Sequence, residues 1–209
     1  MEFHAWLDML VGLTVIVNPL LGATAYTTLT SGSDRASRQH TARLCALTVG
    51  AVLSVAALGG EALLRLFNIG LPEFQVGGGI LLLLIAISML HARLSPARAN
   101  EEEASEALQK DQLGVVPIGI PILSGPGAIS TVIIYAHQEA GWTHLAQLIG
   151  EIWVVAGGVW LALTVSDRLL AALGKTGINI ATRIMGLLLA AIAVGFVTKG
   201  LKLLLPGLG

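Results

Sequence analysis

One cysteine, Cys45, is all the thiol chemistry this chain of 209 residues contains. A lone thiol excludes an internal disulfide framework and any Cys-x-x-Cys redox pair, and a small apolar packing role is what remains for it. Charge is scarce too, at 12% of residues, and its total of −1 points to no nucleic-acid or strongly acidic partner. No Gly-x-x-x-x-Gly-Lys-Ser/Thr stretch is present, so no nucleotide is expected to be bound through a phosphate loop. The five histidines lack metal-ligand spacing, and no Ser/His, paired Asp or paired Cys arrangement lies in an apolar run. Neither an enzyme, a cofactor nor a metal is therefore expected. Met1–Trp6 has no basic stretch, so a cleavable signal peptide is not expected and the first apolar run should persist as a span.

What the chain has in abundance is apolar length. It is 55% hydrophobic with a mean hydropathy of +0.80, far more than one soluble domain of this size needs. Six runs, at about 5–29, 41–60, 74–92, 113–136, 145–166 and 183–204, approach the ~20 residues that cross ~30 Å of hydrocarbon. The basic residues sort to one side. Arg35, Arg38 and Arg43, then Arg93, Arg98 and Lys110, then Arg168, Lys175 and Arg183 fall in alternate connections, leaving only Arg65, Lys199 and Lys202 for the other side. The basic side is expected to be cytoplasmic, with both termini outside, in a plasma (inner) membrane. Trp6 and Trp142 then fall at the outer interface. The polar stretch 94–112 reads as a cytoplasmic linker between residues 1–93 and 113–209.

Those two parts match each other. At an offset of 107 positions (Pro126 against Pro19), Thr24 meets Thr131, and Gly12, Gly50, Gly70 and Gly79 meet Gly119, Gly157, Gly177 and Gly186, with no gap. Each part holds three spans, an odd number, so the second would be inverted relative to the first. The expected fold is all-α: six transmembrane helices as two inverted three-helix repeats, with spans 1 and 4 broken at mid-membrane.

The breaks come from proline. Asn18-Pro19 lies inside Leu7–Leu29, and Ser124-Gly125-Pro126-Gly127 inside Leu113–Tyr135. Proline removes a backbone donor and clashes with the preceding turn. One such residue reads as a plain kink whose freed groups neighbouring Ser or Thr satisfy. Two at matched places, flanked by capping residues and glycines, read as a site. Asn18 and Ser124 or Gly125 would cap half-helices starting at Pro19 and Pro126, whose free amides and positive dipole ends suit a carboxylate. Gly22, Gly125 and Gly127 would admit a ligand to the backbone, and Thr24, Ser130 and Thr131 would add hydroxyls. Carbonyls near Val17 and Leu123 would suit an ammonium, so a small zwitterion fits.

At these residues the chain resembles the MarC family of integral membrane proteins. The resemblance runs through Asn18–Gly22, Phe74–Leu82, Pro117–Pro126 (PIGIPILSGP) and Arg183–Ala191, and covers nearly the whole chain. It implies kinship with exporters of small solutes of the LysE type and transport of small neutral amino acids. Family members often carry Asp at the position of Asn18 and Arg at that of Gln75.

Three further residues are candidates for coupling or gating. Glu151 reads either as a coupling carboxylate inside span 5 or as an outer-interface residue. Arg183 reads as a cytoplasmic contact for a substrate carboxylate or as an interfacial anchor. Gln75 is the third. Glu61 and Arg65, at i and i+4, read as a surface pair, and Asp167 and Arg168 as anchors at the inner end of span 5. The function expected is secondary transport of small polar or zwitterionic solutes by alternating access, with a channel or ion-conducting protein, or a non-transporting membrane scaffold, as alternatives. The expected partners are a small-molecule substrate and the lipid bilayer.

Overall fold

A computed structural model describes residues 3–91, 114–115, 118–138, 141–205 and 207. Every regular element among the described residues is a helix. Helix α1 (Phe3–Val17) is followed by α2 (Pro19–Leu29), α3 (Arg35–Leu66) and α4 (Leu71–Leu90). After the 94–112 linker, which lies outside the described residues, come a short π-helical turn (Ile118–Leu123), α5 (Pro126–Ala136), α6 (Trp142–Thr164) and α7 (Ser166–Leu204).

Among the described residues, five helices are long and apolar enough to cross a membrane: Trp6–Leu29 taken as one unit, α3, α4, α6 and α7. The run at 113–136, expected as a sixth, is not one long helix among the described residues. Ile120 is extended (φ −129°, ψ 129°) inside the π-helical turn, and α5 holds only 11 residues. Pro121 and Pro126 each lack an amide donor, so no continuous ladder passes through them. The outer boundaries also move. α3 starts at Arg35 rather than 41, and its 32 residues reach about 48 Å. Asp34 extends it by accepting from the Ser37 amide (3.1 Å). α7 starts at Ser166 rather than 183 and is interrupted at Gly174 (φ 60°, ψ 176°), a backbone region essentially reserved for glycine.

α4 and α7 form the most extensive helix pair, and they run antiparallel. Glycines let their backbones approach closely. A Cβ at Gly79 would fall 2.9 Å from the Ala193 carbonyl oxygen and 3.0 Å from the Val197 nitrogen. One at Gly186 would fall 3.1 Å from the Ala86 oxygen and 3.2 Å from the Leu90 nitrogen. All three positions of one contact shift by the same 107 residues to give the other, so the seam is reciprocal. In lipid, such small-residue contacts drive helix association through close packing. Cys45 is fully buried within the core of α3.

Candidate functional site

The α1–α2 junction follows from the chemistry of Asn-Pro. The Asn18 amide still donates to the Thr14 carbonyl (3.0 Å), so α1 runs up to it. Asn18 then turns left-handed (φ 54°, ψ 72°), which asparagine tolerates better than most residues, and Pro19 starts a new helix. Asn18 Oδ1 accepts from the Leu21 amide (3.2 Å), and the Asn18 carbonyl accepts from Gly22 (3.2 Å). Its Nδ2 points to Met89 Sδ on α4 at 3.9 Å. Asn18 is thus buried and committed to capping.

The second break is built differently. Gly125 is extended (φ −70°, ψ 175°) and no side chain caps α5. The Gly125 carbonyl accepts from Ile129 (3.1 Å), which leaves the Gly127 and Ala128 amides of the first turn without a capping side chain. The Ser124 amide donates to Gly119 (2.9 Å), but its hydroxyl is fully enclosed and has no hydrogen-bond partner. An uncapped helix start beside an unpartnered buried hydroxyl can receive an anionic or hydrogen-bonding group.

The two helix starts share a wall. Leu82 and Ile85 of α4 lie against Gly127, and Met89 of the same helix meets Asn18. Leu123, just before the second break, packs onto Gly22 just after the first, where a Cβ would fall 2.7 Å from Leu123 Cδ2. Asn18, Gly22, Ser124, Gly125 and Gly127 therefore lie close to one wall or to one another. Pro19 and Thr24 are half-buried, and Thr24 donates to the Leu21 carbonyl (2.7 Å). Thr131 is fully buried and donates to the Gly127 carbonyl (2.8 Å), so its hydroxyl is already used. Ser130 is buried against Gly78 of α4.

The remaining candidates sit elsewhere. Gln75 is buried at the α4–α7 seam beside Gly200, with its Oε1 unpartnered. Arg183 is exposed on α7. Glu151 is only 1% exposed, and neither carboxylate oxygen has a hydrogen-bond partner among the described residues. It lies within electrostatic range of Tyr135, nine residues or ~13 Å along α5 from Pro126. Tyr135 and His144, whose Nε2 meets the Tyr135 carbonyl at 2.7 Å, border a cavity of about 550 Å³ between α1, α5 and α7. Asp8 and Lys199 border it too.

At the C-terminal end of α3, Glu61 and Arg65 form the expected i, i+4 pair, and His137 Nε2 reaches Glu61 at 3.5 Å. Asp167 is more than an anchor. It takes a two-pronged ion pair from Arg38, both contacts at 2.8 Å, across 129 positions of sequence. That pairing was not legible in the chain. Its only signal was that both residues fall in basic connections.

Sequence comparison places these features in a known group. The profile of the MarC family integral membrane protein matches residues 3–205. The UPF0056 membrane protein YhcE of Escherichia coli (strain K12) is 34% identical over 207 residues, covering 99% of this chain and 96% of its own. YvbG of Bacillus subtilis (strain 168), also a UPF0056 membrane protein, is 33% identical over 207 residues, covering 99% and 98%. The UPF0056 membrane protein MJ1677 of Methanocaldococcus jannaschii is 32% identical over 187 residues, covering 90% and 91%. No solved structure matches.

Proposed function

The chain belongs to the MarC family of integral membrane proteins, and on that premise we propose that it is a secondary transporter of small polar solutes, most simply small neutral amino acids. The observation that carries this reading is the uncapped start of α5 beside the enclosed, unpartnered Ser124 hydroxyl. A solute carboxylate would accept from the Gly127 and Ala128 amides and from Ser124 Oγ. The dipole of α5 adds to that attraction in a dry site. Asn18 contributes by holding the first break open as a cap, rather than by touching solute with its own Oδ1.

The architecture proposed is two inverted three-helix repeats in a plasma (inner) membrane, the short apolar helix α5 serving with the π-helical turn as the broken fourth span. The reciprocal glycine contacts of α4 and α7 support this, since a two-fold axis between repeats requires each contact to recur at its mate. The Leu123–Gly22 contact then represents a closed state. Moving Leu123 off Gly22 opens room between the helix starts. The cavity bordered by Asp8 and Lys199 offers both charges to an approaching zwitterion, and the buried Glu151 beside it is the proposed proton-coupling carboxylate.

The test is counterflow in proteoliposomes across a panel of amino acids, with and without a pH gradient. Saturable exchange of small neutral amino acids that a pH gradient drives is the expected result. Flux that neither saturates nor exchanges would identify a channel, and no flux of any solute would leave a scaffold.

A further inference from the structure

A second cavity, about 460 Å³, lies at the opposite, basic end of the molecule, where the end of α2, the start of α3 and the α6–α7 junction meet. Its volume falls within the ~300–1,000 Å³ of small-molecule sites. Arg35, Arg38 and Arg168 border it, together with Asp167, Tyr26 and Gln39. Three guanidinium groups face one carboxylate, a surplus of two positive charges in one concavity. Arg38 is held in place. Its two nitrogens engage Asp167, its guanidinium lies over the Tyr26 ring (5.4 Å to the centroid), and the Tyr26 hydroxyl donates to the Arg38 carbonyl (2.7 Å). Arg35 and Arg168 make no ion pair among the described residues. Two exposed, unpaired guanidinium groups beside a fixed third form a fork for a tetrahedral oxyanion.

We propose that this cavity binds a phosphate group through Arg35, Arg168 and the Arg38–Asp167 pair. Two features select phosphate over the zwitterionic solutes of the transport reading. The surplus charge needs a net anion. The cavity also lies at the ends of apolar helices, on the basic side, where anionic lipid headgroups concentrate. The assignment stands whether or not the protein transports amino acids. Phosphate at this site would compete with Asp167 for Arg38, which lies over Tyr26, and so would act on the end of α2, the helix that Asn18 caps.

The experiment uses the purified protein in a nonionic detergent, titrated separately with inorganic phosphate, short-chain phosphatidylglycerol and short-chain phosphatidylcholine. Thermal shift and a direct binding measurement are read for wild type, R35Q/R168Q, D167N and the control R65Q/K202Q, each against its own ligand-free Tm. Wild type and the control should bind phosphatidylglycerol, inorganic phosphate or both, more weakly as salt rises. R35Q/R168Q should lose affinity about tenfold or more, as expected for lost charge-assisted contacts. D167N should gain affinity, because it frees Arg38 and removes the competing anion. Binding of the lipid alone assigns the site to a headgroup, and binding of phosphate alone to a soluble anion. Equal affinity in wild type and R35Q/R168Q, weaker binding in D167N, or no binding by any probe would overturn the assignment. Should R35Q/R168Q fail to fold, the direction of the D167N change decides.

Discussion

Ser124 carries a hydroxyl that is fully enclosed and has no hydrogen-bond partner among the described residues. Leaving such a group unpaired costs about 1–3 kcal/mol, a cost that a bound solute would offset in the proposed transporter. Ser124→Ala should therefore keep or raise Tm while raising the counterflow KM about 3- to 10-fold, one neutral hydrogen bond's worth. A fall in Tm with unchanged KM would make Ser124 a structural residue. Gly22 makes the complementary case. Gly22→Ala places a methyl against Leu123, whose side chain can shift, so folding should survive at a cost of ~1–3 kcal/mol. Transport should fall sharply, because the added methyl occupies the space that opens when Leu123 leaves Gly22 and keeps the closed contact from re-forming. Glu151 is a buried carboxyl without a partner. Glu151→Gln should fold at least as well and flatten the pH dependence of uptake. An unchanged pH profile would remove it from coupling.

At the scale of helices, the α4–α7 seam is held by two contacts that correspond at an offset of 107 residues. Gly79 and Gly186 each meet backbone atoms of the facing helix, and backbone cannot swing aside as a side chain can. Gly79→Val and Gly186→Val should each lower Tm, by similar amounts. The two sites lie far enough apart for the losses to add in the double variant. A large loss at one glycine and none at the other, read by thermal unfolding in detergent, would break the reciprocity. The glycine matches at a fixed offset were readable in the chain because they are costly in an apolar composition. The helix starts at Pro19 and Pro126 were readable because proline acts locally, through its own missing donor. Other elements were not. The start of α7 at Ser166 depends on a left-handed turn at Gly174, and a lone glycine in an apolar run gives no sign of its φ. The facing of Glu151 depends on which side of α6 the rest of the bundle occupies. Leu123 as the side chain between the helix starts depends on a contact across a hundred residues, while local pattern reports only neighbours along one helix.

For the whole molecule the open quantity is the number of crossings, and it turns on residues 118–136. These form a π-helical turn and an 11-residue helix, too short as one helix for the ~20 residues of a span. Two short pieces end to end can still reach across when their free backbone groups face protein rather than lipid, which is how broken helices persist in transporters. Here α5 is buried along most of its length, with Gly127 through Tyr135 largely enclosed by α3, α4 and α1, as that condition requires. The single cysteine makes the crossing testable. Cys45 is fully buried, so Cys45→Ala gives a silent background, on which Gly32→Cys, before α3, and Thr143→Cys, at the start of α6, are both exposed reporters. Between them lie α3, α4 and the 118–136 segment. Three crossings put the two reporters on opposite sides, and two crossings put them on the same side. In sealed inside-out and right-side-out vesicles, an impermeant maleimide should label Gly32→Cys only from the cytoplasmic side and Thr143→Cys only from the outside. Labelling of both from one side would mean that the segment enters and returns. Pro19 and Pro126 would then start helices related by no two-fold axis in the membrane plane, and alternating access by exchange of two equivalent arrangements would lose its basis.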